Sequence, residues 1–259
     1  MEPHAFVAEV YRRMSSSQLR PRGPTWQEME VDPAVQEATH QYAPLLPKAR
    51  GASILDLGFG RGWFIAACLK LGYTNICGAD FGIVHKSHVK DWSAGVTGLC
   101  EVETNIGDFL SEYRERFDFI HMSHVIEHIP KYSLLYVVDA LYWALRPGGT
   151  LLLRTPNMEG PCAASSLYVT LAHEYGFAGS NLKSLLSICN FDDIRFVQFH
   201  SHSPKSRQKV GQILRRPFLR WSSLRNRLFG VNYGGQFGSE LVVCAQRGER
   251  PALFDVKYK

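Results

Sequence analysis

The 259-residue chain contains no uninterrupted apolar run long enough to span a bilayer, and Met1-Glu-Pro-His-Ala has neither the basic start nor the apolar core of a secretion signal. The expectation is a cytoplasmic protein, at most peripheral to the inner membrane surface. Cys-x-x-Cys pairs are also missing. The six cysteines, at 68, 77, 100, 162, 189 and 244, lie far apart, which argues against a zinc knuckle or a disulfide framework and suits reduced core residues. Acid is absent from one long stretch. Between Asp193 and Glu240 there is no Asp or Glu, while Arg195, Lys205, Arg207, Lys209, Arg215, Arg216, Arg220, Arg225 and Arg227 all fall there. The formal net charge of +5 is therefore concentrated, and the remainder of the chain is mildly acidic.

What is present is a hydrophobic content of 45%, ample for the core of one large α/β domain with additions. The stretch Ile54-Leu-Asp-Leu-Gly-Phe-Gly-Arg-Gly62 is an apolar run ending in three alternate glycines, the pattern of a buried strand breaking into a tight turn. Without a Cβ, Gly58, Gly60 and Gly62 admit positive φ and the close approach of a ligand. The amphipathic stretch 63–71 then sets a helix N-terminus at the end of the turn, where N–H groups favour an electronegative ligand. Asn75-Ile-Cys-Gly-Ala-Asp80 reads as a second short strand whose final carboxylate, about 20 residues on, stands where nucleotide folds bind a ribose diol. A dinucleotide fingerprint would need a glycine at position 63, and Trp63 is there instead. Asp56 inside the first strand also argues against a dehydrogenase, since burying a carboxylate costs several kcal/mol unless it serves a polar ligand.

Asp56-x-Gly58-x-Gly60-x-Gly62 followed by Asp80 resembles the cofactor site of class I S-adenosylmethionine-dependent methyltransferases, and the likeness covers roughly residues 40–200. It implies S-adenosylmethionine as cofactor, with Asp56, the three glycines, Asp80, Phe81 and Ser123 around it. It further implies that Asp108, in Gly107-Asp108-Phe109, accepts the adenine amine while Phe109 lies against the ring. On residue type alone, Asp108 is a helix N-cap. Phe59 departs from the family, where a small residue or cysteine is common.

Along the chain, helices are expected over 5–14 and 33–46, with Pro47 before the first strand. Residues 1–50 form a helical cap and 51–259 the methyltransferase domain. The resemblance makes the cap a lid over cofactor and substrate, and a packing arm is the alternative. Further strands are expected at 99–104, 117–122, 150–155, 194–200 and 240–247, with helices at 129–145 and 180–188. Arg146-Pro-Gly-Gly149 is expected to end the longer helix through a glycine C-cap. The fold is then a Rossmann-like, doubly wound, seven-stranded and mostly parallel sheet with helices on both faces. The resemblance makes its last pair of strands antiparallel, and a basic amphipathic insert occupies about 201–238.

In such a sheet, ligands lie outside the carboxyl ends of the strands, so the loops 123–130 and 156–176 face the transferred methyl group. They bring His124, Glu127, His128, His173 and Glu174 to one region. A histidine with a pKa of about 6.5 suits removal of a hydroxyl proton during in-line transfer. His128 is the first candidate for that base and His173 the second, with Glu127 orienting His128. Small-RNA 3′-terminal 2′-O-methyltransferases and some ubiquinone-pathway O-methyltransferases resemble this stretch through a Glu-x-x-Glu-His metal motif, whose first glutamate is His124 here. His124, Glu127, His128 and His173 therefore form a candidate divalent-metal set, although the lost carboxylate weakens a magnesium site.

Thr155-Pro-Asn157-Met158 with His173-Glu174-x-x-Phe177 resembles methyltransferases of sugars, glycolipids and natural-product glycosides, and the Asn157 amide suits a polyol. The leading expectation is an O-methyltransferase acting on a sugar hydroxyl or related small-molecule acceptor. A metal-dependent RNA 2′-O-methyltransferase and a non-catalytic cofactor-binding subunit are the alternatives. Residues 205–229, where cations alternate with apolar residues and Trp221, suit an anionic membrane surface, a nucleic-acid backbone or a flap over the site.

Overall fold

The computed structural model describes residues 9–10, 25–80, 96–102, 105–160, 163–199 and 238–249. Phe81, most of the expected helix at 5–14 and the whole basic stretch 205–229 lie outside the described residues.

Helix α1 (Trp26–Val31) starts at a capping box in which Thr25 and Glu28 each accept the other's backbone N–H. Helix α2 (Pro33–Tyr42) starts with Asp32 as N-cap and proline in its first turn. Then come β1 (Ile54–Leu57), α3 (Trp63–Lys70), β2 (Ile76–Asp80), β3 (Val96–Glu101) and α4 (Ile106–Ser111). They are followed by β4 (Phe117–Ser123), two 3-10 turns (Ile126–His128 and Lys131–Ser133) and α5 (Leu134–Ala144). The chain continues with β5 (Leu145–Pro156), α6 (Ala163–Leu167), α7 (Gly179–Ile188), β6 (Phe191–Phe196) and β7 (Glu240–Arg247).

The strands form one seven-stranded sheet in the order β3-β2-β1-β4-β5-β7-β6. The pairings among β1 to β5 are parallel, and β7 runs antiparallel to both β5 and β6. This is the Rossmann-like α/β architecture expected, including its antiparallel edge. Alternate side chains of β1 feed opposite faces. Ile54 joins Phe119 and Leu152 under α1, α2 and α3, against Met29, Val35, Tyr42, Phe64 and Ile65. Leu55 and Leu57 join Ile120, Met122 and Leu153 under the other helices, against Leu110, Val138, Leu141, Leu182 and Leu186. The described part of the leading segment is thus a packed layer of the main core, tied further by Lys70 Nζ donating to the Glu30 carbonyl at 2.7 Å.

Four boundaries differ from expectation. Helix α5 begins at Leu134 rather than 129, because the chain first makes two 3-10 turns around Pro130. It ends at Ala144 on an extended Leu145, so Arg146-Pro-Gly-Gly149 opens β5 instead of capping the helix. Strand β6 starts at Phe191, three residues before the expected start, because positive φ at Asp193 and a register shift break the alternation there. Strand β3 likewise lies at 96–101, earlier than 99–104.

Candidate active site

The first half of the site is built from backbone. Gly58 and Gly62 have φ of 77° and 79°, and Gly62 is the N-cap of α3 with no side chain to compete for its first N–H groups. A Cβ on Gly58 would stand 2.2 Å from Val125 Cγ2, so this position admits no side chain. Gly58 N donates to the Ala79 carbonyl at 2.6 Å, and Gly60 N donates to Asp80 Oδ2 at 2.7 Å. Asp80 therefore stands at the end of β2 and holds the glycine turn. Phe59 is buried, and its ring covers Gly78, whose Cβ would meet Phe59 Cδ1 at 2.9 Å. The bulky departure thus packs inward against β2.

Two acidic residues are placed differently from expectation. Asp56 is buried, but its Oδ1 pairs with His121 Nδ1 at 2.7 Å, and the His121 ring stacks on Phe64 with centroids 3.9 Å apart. The desolvation of this carboxylate is offset by a protein partner, so burial of Asp56 no longer requires a ligand. Asp108 does not close the loop after β3. Asn105 is the N-cap of α4, and Asp108 sits inside the helix, accepting the Tyr136 hydroxyl at 2.6 Å and the Asn105 amide. Burial and this bond push the Tyr136 hydroxyl up to about 12. Asp108 therefore ties α4 to α5, and Asn105 is the polar side chain at the strand end. Phe109 is half-buried against Tyr113, with ring centroids 5.1 Å apart.

The second half is built from side chains on loops that follow β4 and β5. Ser123 is the last residue of β4, and His124 follows it with φ 54°. Glu127 is only 2% exposed; its carboxylate accepts His124 Nδ1 at 3.2 Å and the Thr155 hydroxyl at 3.1 Å. Its peptide carbonyl accepts Glu174 N at 2.8 Å and Tyr175 N at 3.1 Å. His128 Nδ1 bonds to the Ala172 carbonyl at 2.8 Å. A carbonyl only accepts, so Nδ1 carries the hydrogen and the lone pair lies on Nε2. His173 repeats the arrangement against the Leu167 carbonyl at 3.1 Å, and the two imidazole centroids are 4.7 Å apart. Burial lowers the pKa of His128, more than the Glu127 charge raises it, and the ring is neutral near pH 7. The orienting partner of His128 is thus the Ala172 carbonyl; Glu127 acts on it by charge.

His124 is a different histidine. Burial opposes its charge, but hydrogen bonds to Glu127 and to Glu240 Oε1, at 2.9 Å, outweigh that and lift its pKa to about 9. Both ring nitrogens carry protons directed at carboxylates, so His124 leaves the metal-ligand set. Among the described residues, Glu127, His128 and His173 do place ligand atoms within 4.8 Å of one another. Glu240, the first residue of β7, also accepts Arg154 Nε at 2.9 Å. Burial would raise its pKa, but His124 and Arg154 hold it at about 2. Sequence reasoning missed Glu240, Arg154 and Thr155, although Glu240 is the first acid after Asp193 and stood out for that reason. Asn157 is buried, its Nδ2 donating to the Gly238 carbonyl at 2.8 Å and its Oδ1 accepting Glu159 N at 2.9 Å. Its amide joins two chain segments, which corrects the expectation of a polyol contact. The Glu174 side chain is exposed.

A mostly parallel sheet with a glycine turn after β1, an acid ending β2 and a polar cluster after β4 and β5 is the architecture of the class I methyltransferases, and the family match makes this chain an enzyme of that class. The chain belongs to the methyltransferase-domain family, whose model matches residues 27–233. No curated protein sequence matches it. A SAM-dependent methyltransferase from Archaeoglobus fulgidus is similar in structure, at 16% identity over 85% of this chain and 96% of that one, with a TM-score of 0.58. The Burkholderia thailandensis 1,6-didemethyltoxoflavin-N1-methyltransferase, with bound 1,6-didemethyltoxoflavin and S-adenosylhomocysteine, aligns at 16% identity over 96% and 92%, with a TM-score of 0.55. Phosphoethanolamine N-methyltransferase 2 of Haemonchus contortus, in complex with S-adenosyl-L-methionine, aligns at 18% identity over 83% of this chain and 53% of that one, with a TM-score of 0.53. No helix among the described residues is long and apolar enough to cross a membrane.

Proposed function

We propose that this chain transfers the methyl group of S-adenosylmethionine to a hydroxyl of a sugar or related small-molecule acceptor, with His128 as the base. The carrying observation is the His128 imidazole, fixed through Nδ1 by the Ala172 carbonyl, with the lone pair on Nε2 and a pKa lowered by burial. The residues present fit the cofactor. The turn at Gly58 and Gly62 has positive φ and leaves the α3 N-terminus uncapped, and Asp80 supplies a carboxylate at the next strand end for a diol.

The bound sulfonium supplies an activated methyl group, which leaves alignment and proton removal to the protein. The uncapped N-terminus of α3 and the Asp80 carboxylate would hold the donor. His128 Nε2 would take the proton that the acceptor hydroxyl gives up on methylation. Its Nδ1–H, still held by Ala172, would keep the ring in place as it becomes cationic, and the neighbouring Glu127 side chain favours that charge. The oxygen acceptor and the sugar class draw on the neutral histidine base and on the motif likeness around Thr155 and His173. The nitrogen acceptors of the Burkholderia and Haemonchus enzymes are the competing chemistry.

The cluster of Glu127, His128 and His173 favours a second reading, in which a divalent ion bound there polarises the attacking hydroxyl, as in an RNA 2′-O-methyltransferase. Both imidazoles already have Nδ1 fixed by carbonyls, the orientation that ligating histidines need. Methyl transfer to glycosides, small phenols and short RNAs, with and without chelator, separates the readings. His128→Ala should lower the rate on the responsive acceptor by about 10² to 10⁴-fold, with calorimetric cofactor affinity unchanged and chelator without effect on the wild type. Inactivation by chelator, reversed by added divalent ion, transfers the role to the metal. A fully active His128→Ala enzyme rejects both.

A further inference from the structure

Successive side chains on a strand leave opposite faces of the sheet, and at the end of β5 this separates two polar groups. Arg154 falls on the face of Leu152, and Thr155 on the face of Leu153, toward the loop of Glu127. Arg154 lies over the Phe199 ring at 5.8 Å, Phe199 meets the Tyr42 ring of α2 edge-on at 5.3 Å, and the Tyr42 hydroxyl bonds to Arg154. Glu240, opposite Pro156 at the start of β7, divides its carboxylate: Oε2 accepts Arg154 Nε at 2.9 Å, and Oε1 accepts His124 Nε2 at 2.9 Å. His124 Nδ1 then donates to Glu127 Oε1 at 3.2 Å, while Thr155 donates to Oε2. His124 thus carries one polar chain from the face of α2, past the end of β4, to the buried carboxylate beside His128. Its φ of 54° is a conformation that a non-glycine residue keeps only where its surroundings over-determine it. Both ring nitrogens do so here, together with its backbone N–H on the Arg154 carbonyl at 2.8 Å.

We propose that Glu240 is a positioning residue for methyl transfer: by holding His124 it keeps the loop of Glu127 and His128 in one geometry. This rests on the reading of His128 as the base. The base sits on a 3-10 turn of three residues without a side-chain cap, so local bonds alone fix it poorly. Bonds from elsewhere in the fold make up the difference. The Ala172 carbonyl aims the His128 ring, and the chain from Glu240 aims the carboxylate next to it. Strand registry does not need this arrangement, because β5 and β7 already pair from Thr150 to Pro156. An ion pair serving only that pairing would end at Arg154 and Glu240. The second oxygen instead reaches a strained histidine that bonds to the base loop.

The first readout is amide hydrogen exchange without substrate. Glu174 N and Tyr175 N bond to the Glu127 carbonyl and report the state of the loop. Glu240→Gln should lower their protection about tenfold, the size of one hydrogen bond to a charged group, and leave the amides of β1 and β4 and the affinity for S-adenosylhomocysteine at wild-type values. The second readout is a double-mutant cycle on the glycoside, phenol or short RNA that the wild type methylates. Glu240→Gln should lower kcat about tenfold with KM for S-adenosylmethionine unchanged, and should have no further effect in a His128→Ala background, because it acts through that residue. If Glu240→Gln does not fold, Arg154→Lys, which keeps the charge but loses the fork on Oε2, is read in the same way. Unchanged protection overturns the proposal. So does an equal loss of rate in both backgrounds, which makes Glu240 a tie of the fold alone. Full activity of His128→Ala overturns the base reading and with it the part of Glu240 in the reaction, whereas the exchange result decides separately whether Glu240 holds the loop.

Discussion

The donor and acceptor ends of this enzyme are made by opposite means. At the donor end, backbone does the positioning: a turn of glycines in left-handed conformations, an uncapped helix N-terminus and one carboxylate that ties the turn down. At the acceptor end side chains do most of it: His124, held at φ 54°, and Glu127 on the loop after β4 join Arg154 and Thr155 of β5 and Glu240 of β7 in one network. A site made of backbone tolerates almost no change at a few positions. One made of side chains spreads its tolerance over a network that spans the chain.

Gly58→Ala should break this comparison most sharply if it is wrong. Left-handed strain of about 1–2 kcal/mol adds to overpacking against Val125 of about 1–3 kcal/mol. The expected outcome is a lower thermal midpoint together with loss of cofactor binding, and an unchanged midpoint and titration would show that backbone does not govern the donor end. Asp80→Ala comes next, at about 1–3 kcal/mol of cofactor affinity, because the turn loses its tie and the ligand a charged acceptor. Isothermal titration checks it, and wild-type affinity would remove Asp80 from the site.

The smallest effect sharpens the other half. His124 has its pKa raised from 6.5 to about 9, so its bonds contribute stability that is fully present below pH 6.5 and lost as pH rises through 9. Glu240 is depressed from 4.5 to about 2, so its share is present above 4.5 and lost as pH falls toward 2. His124→Asn keeps a residue tolerant of φ 54° while removing the charge. The wild-type thermal midpoint should therefore fall between pH 6.5 and 9 by an increment that the variant lacks, and parallel curves would count against the network.

The same contrast explains what could be read from the sequence. The glycine turn, the acid at position 80 and the succession of strands along the chain were legible because each is a local pattern: apolar runs, glycine spacing, an acid at a strand end. Asp108 misled because Asn105, three residues earlier, is the better-placed cap and took the loop position. Asn157 misled because a polar amide near the site reads the same whether it faces a ligand or, as here, two backbone segments. Asp56 was recognised as a buried carboxylate, but its partner His121 comes from a neighbouring strand whose register no local pattern reveals. Glu240 was visible as the first acid after Asp193, but its partners were hidden for the same reason: they meet it only when β7 inserts between β5 and β6.

The contact of Gly58 with Val125 bears on how this enzyme can diversify. Val125 is the first buried residue of the loop that carries Glu127 and His128, and its methyl group rests where a Gly58 side chain would be. A lineage acquiring a new acceptor can therefore vary the chain beyond that valine, while the separation between the glycine turn and the loop of Glu127 and His128 is inherited as a single fixed length. Descendants are expected to differ first around residues 156–176, with Gly58 and Val125 exchanged only as a pair.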